Sequence, residues 1–181
     1  MGLALAVLIA IALYLAYTYN SLARLRLLAS NAWADIDVQL KRRHDLVPAL
    51  VAAVQGHAGY EKGTLQAVVE ARGRALGASG PAEAGRVEAD LARSVRGLLA
   101  IAEAYPDLKA GESFLALQRG LTDIEDHLQN ARRYYNAVVR DLNTRIAQFP
   151  ANLVAGSFGF QPAEFFELGD PSEGAAPTVS P

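Results

Sequence analysis

Residues 2–19, GLALAVLIAIALYLAYTY, contain no charged side chain. As an α-helix this run is about 27 Å long, close to the roughly 30 Å hydrocarbon thickness of a bilayer. Tyr14, Tyr17 and Tyr19 gather at its C-terminal end, where phenol rings suit the headgroup layer, and Arg24 and Arg26 come just after. The run therefore predicts a single transmembrane anchor, with the lipid bilayer as its partner. No Lys or Arg precedes it, so the basic flank lies downstream. The positive-inside rule then puts the N-terminus outside and the rest of the chain in the cytoplasm, attached to the cell (inner) membrane. A cleaved signal peptide would want a basic leader, a shorter apolar stretch and a small-residue cleavage site, and Ala16-Tyr17-Thr18 does not supply one.

The 181 residues are enough for one domain beyond the anchor. A formal net charge of −2 gives no long-range attraction to nucleic acid. The chain has no cysteine, which excludes disulfides, thiolate nucleophiles and Cys-ligated metals.

From Asn20 to about Gln148 the apolar pattern is helical. Gly77-Ala-Ser-Gly-Pro81 is the first strong interruption, with Gly80 able to cap and Pro81 to open the next helix. Tyr105-Pro-Asp-Leu-Lys-Ala-Gly111 is the second. Asp45-Leu-Val-Pro48 is subtler: Asp45 can cap a new helix with Pro48 in its first turn, which ends the preceding helix near His44. A kinked but continuous helix is the alternative. The favoured reading gives helices near 20–44, 46–77, 82–104 and 113–148.

Their seams support it. In the last helix Phe114, Leu117, Leu121, Ile124, Leu128, Ala131, Tyr135, Val138, Leu142 and Phe149 step by three and four, broken only at Arg145. Val87, Leu91, Val95, Leu98 and Ala102 repeat the pattern in the third. Leu22, Leu25, Ala29, Trp33, Ile36 and Leu40 do so in the first, and Leu50, Val54, Leu65, Val68 and Leu76 mark the second. Short connections then predict an all-α fold: a transmembrane helix followed by an antiparallel up-and-down four-helix bundle. The divisions are 1–19 anchor, 20–168 bundle with an aromatic C-terminal cap, and 169–181 a disordered tail rich in Gly, Pro and Ser. In this topology the fourth helix brings residues 149–166 back to the bilayer. If Pro48 merely kinks one long helix, that parity is expected to flip.

The segments YNSLARLR, AWADIDVQLKRRHDLVPALV, FLALQRGLTDIEDHLQNARRYYNAVVRDLNTRI and FPANLVAGSFGFQPAEFF together resemble the LemA family, from about Tyr19 to Phe166. The resemblance implies a bacterial single-pass membrane protein with a cytoplasmic helical bundle and no established enzymatic activity. Ala49 departs from the family pattern, which more often reads Pro-Asn, so no polar role transfers to that position.

Catalytic signatures are missing. A di-metal site in a four-helix bundle needs Glu-x-x-His pairs, and none of His44, His57 and His127 has Glu three residues before it. There is no Gly-x-Ser-x-Gly elbow and no phosphate loop. We therefore expect no cofactor, no metal and no small-molecule substrate. The reading is a non-enzymatic scaffold or interaction module with a protein partner or self-association. The alternative is an enzyme, metal-dependent or otherwise, built from dispersed carboxylates.

Three features could carry contacts. Asp35, Asp37, Lys41, Arg42, Arg43, His44 and Asp45 form the densest polar constellation. The Asp37–Lys41 spacing and the position of Arg42 and Arg43 near an expected helix end explain much of it without a ligand. Lys41 lies about 33 Å along the helix from Tyr19, too far to feel lipid charge. Thr122, Gln129, Asn136 and Asn143 recur every seven residues as an uncharged polar stripe, a possible partner seam. Finally, Phe158 and Phe160 lead an aromatic segment, 149–166, which either closes the bundle or meets a partner or membrane surface.

Overall fold

The structure, a computed structural model, describes residues 1–56 and 62–168. It is all-α, and among the described residues there is no strand. The elements are α1 Gly2–Gln55, α2 Lys62–Leu76, α3 Pro81–Glu103, α4 Pro106–Lys109, α5 Glu112–Ala147 and α6 Ala151–Ser157. Local signals placed most boundaries. Gly80 is the N-cap of α3 with Pro81 at its first position, and Glu83 reaches back to accept the Ser79 N–H at 2.9 Å. The 105–111 connection folds into the single turn α4, which buries Leu108. The expected tail, 169–181, lies outside the described residues.

The break near His44 is corrected. Helix α1 runs through Asp45 and Pro48 without interruption and ends only at Gln55. Proline inside a helix removes one N–H and orphans the carbonyl four residues earlier. Here that carbonyl belongs to His44, and it accepts a hydrogen bond from Arg72 Nε of α2 at 2.8 Å. The pyrrolidine ring itself is exposed. A donor from a neighbouring helix thus replaces the missing backbone bond and lets α1 continue. A separate helix, α2, begins at Lys62, so the number of long helical segments beyond the apolar run is unchanged.

This arrangement predicts a coupled pair. Arg72→Ala should cost about 1 kcal/mol, the usual net worth of a hydrogen bond whose acceptor is only partly buried. In a Pro48→Ala background the new alanine N–H can donate to the His44 carbonyl, so the same Arg72 substitution should cost much less. Urea melts of the four variants in one detergent measure the difference. Equal costs in both backgrounds would contradict this account of the kink.

By contact the chain divides into two compact units. The first comprises Met1–Asp35 and Ala131–Phe165. Within it the Trp33 and Tyr135 rings lie 5.6 Å apart, and the Arg145 guanidinium stands 5.9 Å from the Tyr17 ring. Rising numbers on α5 meet falling numbers on α1, so the two helices are antiparallel. Leu22, Ala29 and Ala32 are buried on α1, and Tyr135, Val138, Val139 and Leu142 on α5. Residues 2–16 are exposed throughout.

The second unit comprises Ile36–Asn130 and Phe166–Pro181. Its core joins Val47, Leu50 and Val54 of α1, Leu65, Val68 and Ala71 of α2, Leu91, Val95 and Leu98 of α3, Leu108, and Phe114 and Leu121 of α5. Helices α2 and α3 form a hairpin across residues 77–80, close enough that Gly97 faces Thr64. Two seam assignments are corrected: Leu76 and Phe149 are exposed. Leu76 ends α2 and Phe149 comes after α5, so neither has a facing helix turn to pack against.

Candidate functional site

The aromatic segment lies in the first unit, at the end of the apolar run. The Tyr19 ring makes edge contacts with Phe158 at 5.0 Å and Phe160 at 5.7 Å. The Arg26 guanidinium sits 5.2 Å from the Phe160 ring centre, within cation–π range. The expected flip of parity for a continuous α1 therefore does not occur, because α2 is still a separate helix.

Local chemistry sorts the phenylalanines. Helix α6 closes in a Schellman cap: the Phe160 N–H bonds to the Ala155 carbonyl at 2.9 Å and the Gly159 N–H to the Gly156 carbonyl at 3.4 Å. Gly159 has φ +68°, a left-handed conformation that favours glycine. The cap turns Phe160 inward, to 5% exposure, and leaves Phe158 at 60%. Ala151, Val154 and Ala155 form the covered side of α6, while Leu153 and Phe149 are 62% and 80% exposed. The segment is thus neither purely a cap nor purely a surface.

The polar stripe on α5 has a partner within the chain. The Asn143 side chain donates Nδ2–H to the Ala163 carbonyl at 2.9 Å and accepts the Ala163 N–H through Oδ1 at 2.8 Å. One primary amide thereby satisfies both backbone groups of Ala163, which lies outside the helices. The Tyr135 hydroxyl donates to the Glu164 carbonyl at 2.7 Å. Burial pushes the Tyr135 hydroxyl up to about 12, with the Glu164 carboxylate adding to the effect. Asn136 is half-buried, while Thr122 and Gln129 are exposed.

The 35–45 charges separate into two groups. Asp35, Asp37, Lys41 and Arg42 are exposed on α1. The helix-end explanation for Arg42 and Arg43 fails, since α1 continues to Gln55. Arg43 and His44 instead turn into the second unit. The buried Glu88 of α3, only 1% exposed, receives His44 Nε2 at 2.5 Å on one carboxylate oxygen and Arg43 Nη1 at 3.4 Å on the other. Arg43 Nη2 pairs with Glu125 of α5. Burial pulls the Arg43 guanidinium below its ordinary value, and Glu88 opposes that shift. Arg43 therefore belongs to no exposed surface.

Glu88 was missed by the sequence reading, although a signal existed. It precedes Leu91, Val95, Leu98 and Ala102 in unbroken steps of three and four, a better seam position than Val87. Likewise Ile36, Leu40, Arg43, Val47, Leu50 and Val54 form one unbroken seam, all buried, if α1 is allowed through Pro48.

These features define an all-α, membrane-associated protein: among the described residues one helix is long and apolar enough to cross a bilayer, and it is joined to helices that pack around a buried ionic cluster. The model of the LemA family matches residues 32–180, and the chain belongs to that family. It is 26% identical to Protein LemA of Metamycoplasma hominis over 156 residues, 83% of this chain and 69% of that protein. Over 84 residues, 46% of this chain, it is also 30% identical to Magnetosome protein MamQ 2 of Paramagnetospirillum magneticum. Magnetosome protein MamQ of Magnetospirillum gryphiswaldense is 29% identical over the same length. The matched stretch covers only 30% of either magnetosome protein.

Proposed function

We propose that this chain is a membrane-tethered, non-catalytic scaffold that presents helix faces to protein partners from the cytoplasmic side of the inner membrane. The observation that carries the reading is helix α1 itself. One uninterrupted element supplies the exposed apolar residues 2–16 and the core residues Val47, Leu50 and Val54. Exposure of the apolar run favours lipid as its environment, since a core helix of a soluble protein would be covered. Arg24 and Arg26, just beyond the run, favour a cytoplasmic position for the rest of the chain. The ionised side chains buried in the second unit are paired with one another. The exposed Asp35, Asp37, Lys41 and Arg42 remain the charged surface that a protein partner or a second copy would meet.

The chain has no cysteine, so single introduced cysteines report topology cleanly. Asp123→Cys and Ser172→Cys should resist a membrane-impermeant maleimide in intact cells and react once the inner membrane is opened. Labelling in intact cells would overturn the cytoplasmic assignment.

A further inference from the structure

Beyond Arg145 the chain carries no charge until Glu164. Within this run Phe149, Leu153 and Phe158 project large apolar side chains into the open, with more than half of each exposed. A water-facing connection usually carries Lys, Glu, Asp or Ser, and three exposed apolar residues on one short helix and its flanks mark a covered surface. The position of the patch identifies its cover. Phe158 packs on Tyr19, the last residue of the apolar run, and Tyr17 beside it is exposed too. Because α5 runs antiparallel to α1 in this unit, Phe149 lies beyond Arg145 in the direction of the apolar residues, not away from them. The patch is therefore continuous with the stretch that contacts lipid. That stretch, at about 27 Å, is slightly short for a hydrocarbon core of roughly 30 Å, and apolar groups added at one end relieve such a mismatch. Arg24 and Arg26 are exposed nearby, suited to anionic headgroups.

We propose that α6 with Phe149, Leu153 and Phe158 is an interfacial membrane element, lying at the boundary of headgroups and acyl chains beside the end of the anchor. Residues Ala151, Val154 and Ala155 hold its inner side to the unit, and the Schellman cap at Gly159 sets Phe158 outward and Phe160 inward. The chain thus meets the bilayer twice: once by spanning it, and again by a side-on wedge. The wedge rests on the membrane-tether reading, since without the anchor there is no bilayer at Tyr19.

Spin labels attached to single cysteines test it in the full chain, reconstituted in vesicles of three parts phosphatidylcholine to one part phosphatidylglycerol. Labels at Leu153→Cys and Phe149→Cys should be several-fold richer in oxygen over aqueous-nickel accessibility than a label at the exposed Arg140→Cys of the same unit. A Leu8→Cys label reports the anchor separately. If Leu8 lies in lipid while Leu153 and Phe149 match Arg140, the wedge is overturned and the tether stands. If Leu153 and Phe149 are shielded from both reagents, a protein partner or second copy covers them, which also overturns the wedge. A water-exposed Leu8 label would instead overturn the tether.

Discussion

Replacing Glu88 with alanine is expected to destabilise the second unit by about 3 kcal/mol, near the lower end for removing one partner of a buried ion pair. The carboxylate is 1% exposed and serves two partners, His44 on one oxygen and the Arg43 guanidinium on the other. Without it Arg43 stays charged in a buried place, because a guanidinium does not give up its proton under ordinary conditions. Burial already pulls it in the direction of deprotonation, and Glu88 is the chief opposing charge. Glu125 would still pair with Arg43, which is why the loss stays at the lower end; its side chain is 38% exposed and screened by water. Glu88→Gln keeps the volume and one acceptor and should fall between wild type and alanine. Replacing the cluster together, Glu88→Met with Arg43→Leu and His44→Leu, should recover much of the loss, since apolar packing substitutes well for a buried ionic group. Denaturant melts monitored by circular dichroism give all three comparisons. A triple variant less stable than Glu88→Ala would show that the network contributes more than charge compensation.

The same residues show what a linear reading can and cannot reach. Gly80-Pro81 and the periodicity of α5 were legible because their causes are local: a cap, a fixed φ, and side chains three or four apart. The continuity of α1 was not, because the group that makes Pro48 tolerable sits on another helix, at Arg72. No local propensity encodes that bond. Glu88 and Arg43 were hidden by a rule of thumb, that charge belongs on the solvated face, even though each occupies a seam position. Two charges on seams of different helices should be read as candidates for each other. The aromatic segment was found by composition alone, but its division into an inward Phe160 and an outward Phe158 depends on a cap at Gly159 that a list of phenylalanines does not reveal. Asn143 was noticed as part of a seven-residue repeat, and its partner turned out to be the backbone of Ala163 in its own chain.

The largest loss from an apolar truncation should come at Phe166, which is fully buried in the second unit. Phe166→Ala is expected to cost about 3–5 kcal/mol, the transfer free energy of the ring plus the cavity it leaves. A second substitution reaches the same contact from the other side. Gly85 lies on the buried side of α3, and a Cβ there would stand 2.2 Å from the carbonyl oxygen of Glu167 and 3.0 Å from its carbonyl carbon. The obstacle is backbone, so no rotamer change relieves it, and the residues next to Phe166 must shift. Gly85→Ala should therefore cost about 1–3 kcal/mol as an overpacked site. Part of that cost is the loss of Phe166 from its place, so the two substitutions should not add: in a Phe166→Ala background Gly85→Ala should cost far less. Denaturant melts of both singles and the double in one detergent decide the point, and full additivity would mean that Gly85 acts on α3 alone. Limited proteolysis supplies the structural counterpart, since either single variant should open the chain around Glu167 to cleavage while α5, paired within each unit, stays protected.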